Sequence, residues 1–161
     1  MSDLQYYLGL GSNITPAKNL PRALELLHKY VVVETISTAW ESPSVGEPGP
    51  DFLNAVVRIN SALQPNDLKD RVIHPIEAQL GRVRTEDKNA PRPIDIDILV
   101  VDQQTYTDEV WIYPHLALPL AELIPDLTHP VTGETIASVA DRLVRSTPIR
   151  PRPDILKGPQ L

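Results

Sequence analysis

The sequence predicts an α+β domain with the element order β-α-β-β-α-β of ferredoxin-like plaits, in which helices pack on one face of an antiparallel sheet. Two observations support this prediction. Apolar and polar residues alternate in several short segments, as in half-buried strands, and apolar residues recur every three or four positions in others, as in helices. The chain of 161 residues is long enough for one hydrophobic core, and no repeat or domain linker divides it.

Proline and capping residues predict where the helices begin. Thr15 is a preferred capping residue and Pro16 suits the first helical position, which predicts a helix over 16–29. A second helix should begin at 65–67, and Pro75 should interrupt or kink it because proline lacks a backbone donor. Apolar periodicity predicts later helices over 119–123 and 134–144, and strands over 6–10, 31–40, 52–63 and 94–100, with an edge strand or hairpin arm over 106–113.

Prolines also mark the loops and the end of the predicted domain. The chain contains 17 prolines, where an average usage of about 5% would give about eight. Four of them follow residue 147 in a segment without helical or strand periodicity. We therefore expect one domain over 1–145 and a proline-rich tail over 146–161 that is extended or disordered.

Composition narrows the classes of function. The net charge of −6 argues against broad nucleic-acid binding, although a local basic patch could still hold a phosphorylated ligand. The lack of cysteine excludes disulfides and thiolate metal sites and is compatible with a cytoplasmic protein. No signal peptide pattern and no run of roughly 18 apolar residues is present, so we expect a soluble protein without a membrane span.

Two carboxylates stand side by side in the predicted strand Ile94-Asp95-Ile96-Asp97-Ile98. Residues two apart share a face of a strand, about 7 Å apart between Cα atoms, so the isoleucines can enter the core while both aspartates face the other side. Such a carboxylate pair suits Mg²⁺, which binds one or two carboxylates together with substrate phosphates. The alternative, which the spacing leaves open, is an exposed strand face that is merely acidic.

Basic residues crowd into the segment before this strand, at Arg82, Arg84, Lys88 and Arg92. Arginine forks fit phosphate oxygens, and cations beside a carboxylate pair are the arrangement expected of a phosphoryl-transfer site. For any one of these residues, a solvated charged loop is the more common explanation.

Several motifs, in the same order along the chain, resemble those of the 6-hydroxymethyl-7,8-dihydropterin pyrophosphokinase family, whose members act in folate biosynthesis. The run from Lys88 to Leu99, KNAPRPIDIDIL, is similar to the signature of that family. Further similarities occur in the family's order and extend over about residues 5–145. They are Gly9-Leu-Gly-Ser-Asn13, Pro43-Ser-Val-Gly46 with Phe52-Leu-Asn54, Glu77 with Gly81-Arg-Val-Arg84, Pro114-His115 and Pro119-Leu-Ala-Glu-Leu123.

The resemblance implies transfer of the β,γ-pyrophosphate of ATP to the hydroxymethyl group of the pterin, with release of AMP. It implies small-molecule substrates and no obligate protein partner. Asp95 and Asp97 would hold two Mg²⁺ ions, and Arg82 and Arg92 would stabilise charge on the transferred group. The implied ATP-binding residues are Glu77, Arg84, Arg92, Ile98 and His115, and the implied pterin-binding residues are Ser42, Pro43, Val45, Phe52, Asn54 and Asp95.

The implied pterin pocket agrees with what a flat bicyclic ring requires, namely an aromatic face and a few fixed hydrogen-bond partners. Phe52 would stack on the ring and Asn54 would offer a donor and an acceptor to its amide-like edge. On pattern alone, Phe52 would be a core aromatic and Asn54 a turn residue.

The sequence departs from the family at the loop after Pro114-His115. Family members usually carry there a longer segment with an arginine for the phosphates and an aromatic that closes over the pterin, whereas His115-Leu-Ala-Leu-Pro119 joins the two motifs almost directly. Asn89 also replaces a frequent aromatic. An enzyme with a trimmed lid should turn over more slowly or bind pterin more weakly. The alternatives are an enzyme for a modified pterin and a non-catalytic nucleotide- or pterin-binding module.

Overall fold

A seven-stranded antiparallel sheet forms the centre of the molecule, in a computed structural model that describes residues 3–43, 51–83 and 91–156. The strand order is β6-β5-β1-β4-β3-β7, and β2 pairs with β4 beside β3. Every pairing between these strands is antiparallel. In chain order the strands are β1 (Leu4–Ser12), β2 (Val32–Ile36), β3 (Ala39–Ser42), β4 (Phe52–Ser61), β5 (Asp95–Val101), β6 (Gln104–Thr105) and β7 (Arg150–Arg152).

Helices cover both faces of this sheet. They are α1 (Pro16–Tyr30), α2 (Pro65–Leu68), α3 (His74–Gln79), α4 (Pro114–Leu123) and α5 (Ile136–Val144). One apolar cluster joins residues of α1, α2 and α3 to Ile94, Ile96 and Ile98 of the β5 region. A second cluster joins α4 and α5 to the opposite face, which includes Tyr7 and Val56. The predicted mixture of an antiparallel sheet and helices is confirmed, but the prediction that helices pack on one face is wrong.

Within residues 3–43, 51–83 and 91–156, no helix is both long enough and apolar enough to cross a bilayer.

Pro75 interrupts the second helical segment as the sequence predicts. α2 continues into a π-helical turn, Lys69–Ile73, before α3 begins at His74. The His74 amide donates to the carbonyl of Lys69, five residues earlier, so the chain widens immediately before the proline. This wider turn accommodates a residue that has no backbone donor of its own, which an unbroken α-helix does poorly.

The predicted strand over 31–40 is divided into β2 and β3 by a bulge. From Ile36 to Trp40 the chain advances four residues, whereas the paired segment of β4 advances three, from Val57 to Asn54. Ser37 fills the gap, because its amide donates to the Val56 carbonyl at 2.9 Å and its hydroxyl accepts from the Val56 amide at 2.8 Å. The side chain thereby replaces a regular ladder contact.

Three local predictions are corrected. Thr15 does not cap α1 with its side chain, since it lies in the left-handed region with φ of 40° instead of the extended region that a capping residue prefers. The predicted edge strand over 106–113 is wrong, because Asp108–Trp111 form a 3₁₀ turn that buries Val110 and Trp111. The helix predicted over 119–123 begins earlier, at Pro114.

Residues beyond 145 contribute to the described fold. β7 pairs with β3, and Ile149 is buried against the α4–α5 side of the sheet. Glu41 of β3 accepts from Arg150 Nη2 at 2.6 Å and from Arg152 Nη1 at 3.3 Å. Arg150–Arg152 contain only arginine and proline, so no apolar periodicity indicated a strand here. This segment is extended, and it pairs with β3.

A chain that ends at Arg145 should be less stable than the full chain by about 2 to 4 kcal/mol, because it loses the burial of Ile149 and the pairing of β3. Urea unfolding measures the difference. A chain that ends at Leu156 is the matched control, since it keeps β7, and it should unfold at the wild-type urea concentration. Equal stability of all three chains would show that β7 adds nothing to the fold.

Candidate active site

The antiparallel register places the predicted site residues in rows across one face of the sheet. Gly11 of β1 lies between Asp95 of β5 and Asn54 of β4, and Trp40 of β3 follows Asn54. Residues directly opposite each other in paired strands share a face. In the next row, Gly9 lies beside Asp97. The two aspartates and Asn54 therefore face the α4–α5 side, with Gly11 between Asp95 and Asn54 and Gly9 beside Asp97.

Gly11 makes this arrangement possible because it has no side chain. A Cβ atom at this position would collide with Asn54 Oδ1. At Gly9 a Cβ atom would lie 3.1 Å from Leu99 Cδ1, the end of a flexible side chain. The two glycines thus form a low floor, and Gly11 in particular lets the Asn54 amide extend toward Asp95.

Gly11→Ala should displace the Asn54 amide, which the resemblance makes a pterin contact, and so weaken pterin binding by about tenfold, the cost of roughly one hydrogen bond, while thermal stability also falls. Gly9→Ala is the matched control, since Leu99 can shift by a few tenths of an ångström, and its effect on pterin binding should be smaller. Titration of pterin into each variant gives the Kd values. Equal effects of the two alanines would contradict the role given to Gly11.

Arg82 joins a buried carboxylate to the site carboxylate. Its Nη1 atom lies 2.6 Å from Glu77 Oε2 and 2.6 Å from Asp95 Oδ1. Glu77, which is 2% exposed, also accepts from the Ile96 amide at 3.0 Å. Glu77 stands on α3, which packs on the opposite side of the sheet from Asp95. Arg82 therefore reaches around β5, and Glu77 anchors both this guanidinium and the β5 backbone.

Arg92 is held beside Asp95 by its backbone and by its side chain. Its amide donates to Asn13 Oδ1 at 2.7 Å, and its carbonyl accepts from the Asn13 amide at 3.2 Å. Its Nη1 atom lies 3.4 Å from Asp95 Oδ2. Asn13, which is buried, thus fixes the segment that carries Arg92. In the sequence Asn13 stands out only as the last residue of the motif Gly9-Leu-Gly-Ser-Asn13, so its contact with Arg92 was not predicted.

Asp97 has an unusually basic carboxyl group. Desolvation by the surrounding protein, followed by the charge of Asp95, a hydrogen bond with Asp95 and the charge of Glu77, raises the pKa of Asp97 to about 7, against the opposing effect of Arg82. The residue nevertheless remains exposed to solvent. A cation close to Asp97 would offset the negative charges of Asp95 and Glu77. The surroundings of Asp97 therefore favour binding of a cation.

Asp95→Asn should lower the pKa of Asp97 from about 7 part of the way toward its ordinary value of 3.8, because desolvation, the largest cause of the shift, remains while the charge of Asp95 is removed. The pKa can be read from a pH titration of the Asp97 carboxyl carbon by NMR. In wild type the contribution of this group to stability should be fully present below pH 3.8 and be lost as pH rises through about 7, since the folded state binds the proton more tightly. An Asp97 pKa near 4 in wild type would contradict the crowding.

His115 lies near the carboxylates at the N-terminal end of α4. Burial lowers the pKa of His115, and the negative charge of Asp95 partly opposes this shift. The imidazole and the Asp95 carboxylate therefore interact electrostatically. The Tyr113 ring packs beside the imidazole with 5.4 Å between ring centroids. A neutral imidazole in this position can donate a hydrogen bond without adding charge.

The residues that the resemblance assigns to the pterin lie at the other end of the same face. Ser42 pairs with Phe52, and Phe52 precedes Asn54 by two residues, so these side chains share the face. Phe52 and Ser42 are half-buried, Asn54 is buried and Pro43 is exposed. Two of the predicted site residues, Arg84 and Val45, lie outside the described residues, as do Lys88 and Asn89.

Ile98 presents backbone groups at the outer edge of β5. The Ile96 amide donates away from β1, to Glu77, and residues two apart in a strand direct their backbone groups the same way. β6 pairs only with Val100 and Val101. The Ile98 amide and carbonyl therefore face the side of β5 away from β1.

A divalent cation fits the carboxylates on chemical grounds. The described residues contain no group of three or more histidine, cysteine, aspartate or glutamate side chains that could hold a metal. Mg²⁺ commonly takes only one or two carboxylates and completes its shell with water and substrate phosphates. Asp95 and Asp97, two residues apart on the same face of β5, supply that donor set.

α4 replaces the loop that the resemblance would place after His115. Pro114–Leu123 form one continuous helix, so both the Pro114-His115 pair and Pro119 lie within it. Its apolar residues Ala117, Leu118 and Leu120 are buried in the cluster on the site face. The shortened segment thus forms a helix that packs on the sheet.

Comparison with known proteins gives the same family. Residues 7–125 match the family described as 7,8-dihydro-6-hydroxymethylpterin-pyrophosphokinase (HPPK). A 2-amino-4-hydroxy-6-hydroxymethyldihydropteridine pyrophosphokinase of Methylorubrum extorquens is 39% identical over 149 residues, 85% of this chain and 92% of the relative. The folic acid synthesis protein fol1 of Schizosaccharomyces pombe is 36% identical over 149 residues, 85% of this chain.

Some relatives are much longer proteins. The chain spans 20% of the length of the Schizosaccharomyces pombe protein. A crystal structure of wild-type HPPK-DHPS from Plasmodium falciparum with SDX-DHP aligns with a TM-score of 0.67 and 14% identity, over 89% of this chain and 45% of that one. This likeness shows a shared fold. With the match over residues 7–125 and the identity to the Methylorubrum protein, it follows that the chain belongs to the 7,8-dihydro-6-hydroxymethylpterin-pyrophosphokinase family.

Proposed function

We propose that this chain transfers pyrophosphate from ATP to 6-hydroxymethyl-7,8-dihydropterin and releases AMP, a step of folate biosynthesis. The observation that carries the proposal is the placement of Asp95, Asp97 and Asn54 on one face of the sheet, across the glycine floor. The family membership and the names of the relatives support the same reaction. The proposed substrates are two small molecules, one at each end of that face.

The reaction forms one bond and breaks one. The hydroxymethyl oxygen of the pterin attacks the β-phosphorus of ATP, the bond from that phosphorus to the oxygen bridging the α- and β-phosphates breaks, and AMP leaves with that oxygen. The hydroxyl proton passes to water. Such a transfer depends on positioning and on neutralising charge more than on covalent catalysis.

Basic side chains at the ATP end would stabilise the phosphates. Arg82 and Arg92 both contact Asp95, so their guanidinium groups are fixed beside the position where the transferred group would lie. His115 would donate a hydrogen bond as a neutral imidazole. Arg84 is proposed as a further phosphate contact from the sequence resemblance.

Asp95 and Asp97 would hold Mg²⁺, with two ions as the proposed number, and the bound metal would supply charge neutralisation for the polyphosphate. The Ile98 backbone, which faces the outer edge of β5, would contact adenine. Glu77 would act on the nucleotide through Arg82, since its carboxylate is buried against that guanidinium.

The pterin would lie over the opposite end of the face. Phe52 offers a half-buried aromatic ring for stacking, and the Asn54 amide offers a donor and an acceptor beside it. Ser42, Pro43 and Val45 would line the same side. The distance along the sheet from Asn54 across Gly11 to Asp95 is two strand spacings, about 10 Å, which suits a bicyclic ring with a hydroxymethyl arm.

We also assign the sheet to the ferredoxin-like plait. If β2 and β3 are taken as the two halves of one strand divided by the bulge at Ser37, the order β5-β1-β4-β3 follows the β-α-β-β-α-β pattern. β6 and β7 then extend the two edges of that core.

The test is an assay with ATP, Mg²⁺ and 6-hydroxymethyl-7,8-dihydropterin in which AMP is measured. AMP should form only when pterin, ATP and metal are all present. If ATP and pterin bind by calorimetry but no AMP forms above background, the chain is a non-catalytic binding module. If AMP forms only with pterins that carry a larger substituent at position 6 or 7, the enzyme acts on a modified pterin, which would occupy the space left by the shortened loop after His115.

A further inference from the structure

Glu122 near the C-terminal end of α4 fastens that helix to β3. Its Oε1 atom accepts from the Thr38 amide at 3.0 Å, and its Oε2 atom accepts from the Trp40 indole Nε1 at 2.7 Å. The same helix carries His115 at its other end. One carboxylate therefore connects the helix that carries His115 to β3, the strand that pairs with Asn54 of β4.

Trp40 bounds the space available to the Asn54 amide. The two residues are directly opposite each other in β3 and β4, where Cβ atoms lie about 4.5 to 5.5 Å apart. On the other side of Asn54 is Gly11, which leaves room for Oδ1. With the indole on one side and the glycine on the other, the amide is directed over Gly11, toward Asp95.

The indole in turn depends on Glu122 for its orientation. Trp40 is half-buried and packs against the apolar cluster of α4 and α5, and its one polar atom donates to Glu122. Two donors converge on the two oxygens of this carboxylate. A glutamine offers one acceptor and one donor, so it can satisfy only one of them.

We propose that Glu122 is a positioning residue for pterin binding, and that it acts by holding the Trp40 indole against the Asn54 side chain. The inference rests on the proposed function, because it gives Asn54 the role of a pterin contact. Glu122 itself touches neither substrate. In this chain α4 stands where the family has a longer loop. The hydrogen bond from Trp40 to Glu122 on α4 would hold the pterin side of the site in place.

Steady-state kinetics of AMP formation tests the proposal with Glu122→Gln, Trp40→Phe and the double variant. Each single variant should raise the KM for the pterin about five- to tenfold, the effect of one hydrogen bond, while the KM for ATP changes less than about twofold. The double variant should resemble the single variants, because both changes remove one contact. Glu25→Gln, on the exposed face of α1, is the matched control and should leave both KM values unchanged.

Indole NMR signals provide a readout that separates positioning from loss of fold. The chain has two tryptophans, and Trp111 Nε1 is buried with no hydrogen-bond partner in the described structure. In Glu122→Gln the Trp40 indole N–H signal should shift and exchange faster with solvent. The Trp111 signal should stay in place, which shows that the α4–α5 cluster is intact.

The outcomes distinguish this inference from the proposed function. If wild type forms AMP and the variants keep the wild-type KM for pterin, Glu122 has no positioning role although the function stands. If the KM values for ATP and pterin rise together, Glu122 supports the fold in general and the inference is wrong. If wild type forms no AMP, the proposed function fails, and the inference fails with it.

Discussion

Asp97→Ala is expected to reduce the rate of AMP formation by at least about 100-fold without loss of stability. Asp97 is exposed and crowded by Asp95 and Glu77, so its removal relieves repulsion in the free protein. The same removal deprives the site of one of its two proposed metal-binding carboxylates. A residue whose loss abolishes activity while the protein becomes no less stable serves function and not folding.

Asp141→Ala supplies the matched control, because Asp141 is an exposed carboxylate on α5. It should keep wild-type activity and stability. The rates are measured at several Mg²⁺ concentrations, and the small residual activity of Asp97→Ala should need more metal to saturate. Wild-type activity of Asp97→Ala at low Mg²⁺ would show that the metal assignment is wrong.

Arg82→Met is expected to lower both stability and activity. It removes the guanidinium that lies 2.6 Å from the buried Glu77 carboxylate, and breaking one side of a buried ion pair costs about 3 kcal/mol. It also removes a guanidinium that lies 2.6 Å from Asp95, so AMP formation should fall by about 100-fold or more. Urea unfolding and the AMP assay measure the two effects separately.

The double variant Arg82→Met with Glu77→Gln separates the two roles of this arginine. Glutamine at 77 can still accept from the Ile96 amide, and the double variant removes both charges of the buried Arg82–Glu77 pair. It should therefore recover most of the stability lost in Arg82→Met but none of the activity. Recovery of activity together with stability would mean that Arg82 only supports the fold. An unchanged urea midpoint for Arg82→Met would contradict the ion-pair argument itself.

Alternation in one strand predicts much of the site. Ile94, Ile96 and Ile98 enter the core with α1 to α3, and Asp95 lies on the other face, as period-two alternation requires. The positions of Pro16 and Pro75 likewise predict where one helix begins and another is interrupted. These features depend on neighbouring residues in the chain, which is why the sequence reveals them.

Contacts between distant segments could not be predicted in this way. The row that brings Asn54 beside Gly11 and Asp95 depends on the register of three strands, which no local pattern specifies. Glu77 accepts from the Ile96 amide, and Arg82 contacts Asp95, only because the end of α3 lies beside β5 in the fold. The apolar residues of α4 and α5 revealed helices but not the face they cover, so the second helical layer was missed.

The edge strand β7 could not be predicted from the sequence either. β7 has an arginine and proline composition that suggests an unpaired tail, yet Glu41 and the β3 backbone bind it. Charge complementarity between residues more than one hundred positions apart leaves no periodic signal. The 3₁₀ turn at Asp108–Trp111 was missed for a related reason, because burial of Val110 and Trp111 outweighs their strand propensity.

The position of attack on ATP is the most direct test of the proposed activity. A ³¹P NMR spectrum of the products identifies which phosphate bond breaks when the chain reacts with ATP, Mg²⁺ and 6-hydroxymethyl-7,8-dihydropterin. The proposed mechanism predicts AMP and a pterin diphosphate in equal amounts. ADP formed together with a pterin monophosphate would place the attack at the γ-phosphorus and contradict it, as would a spectrum in which ATP is unchanged.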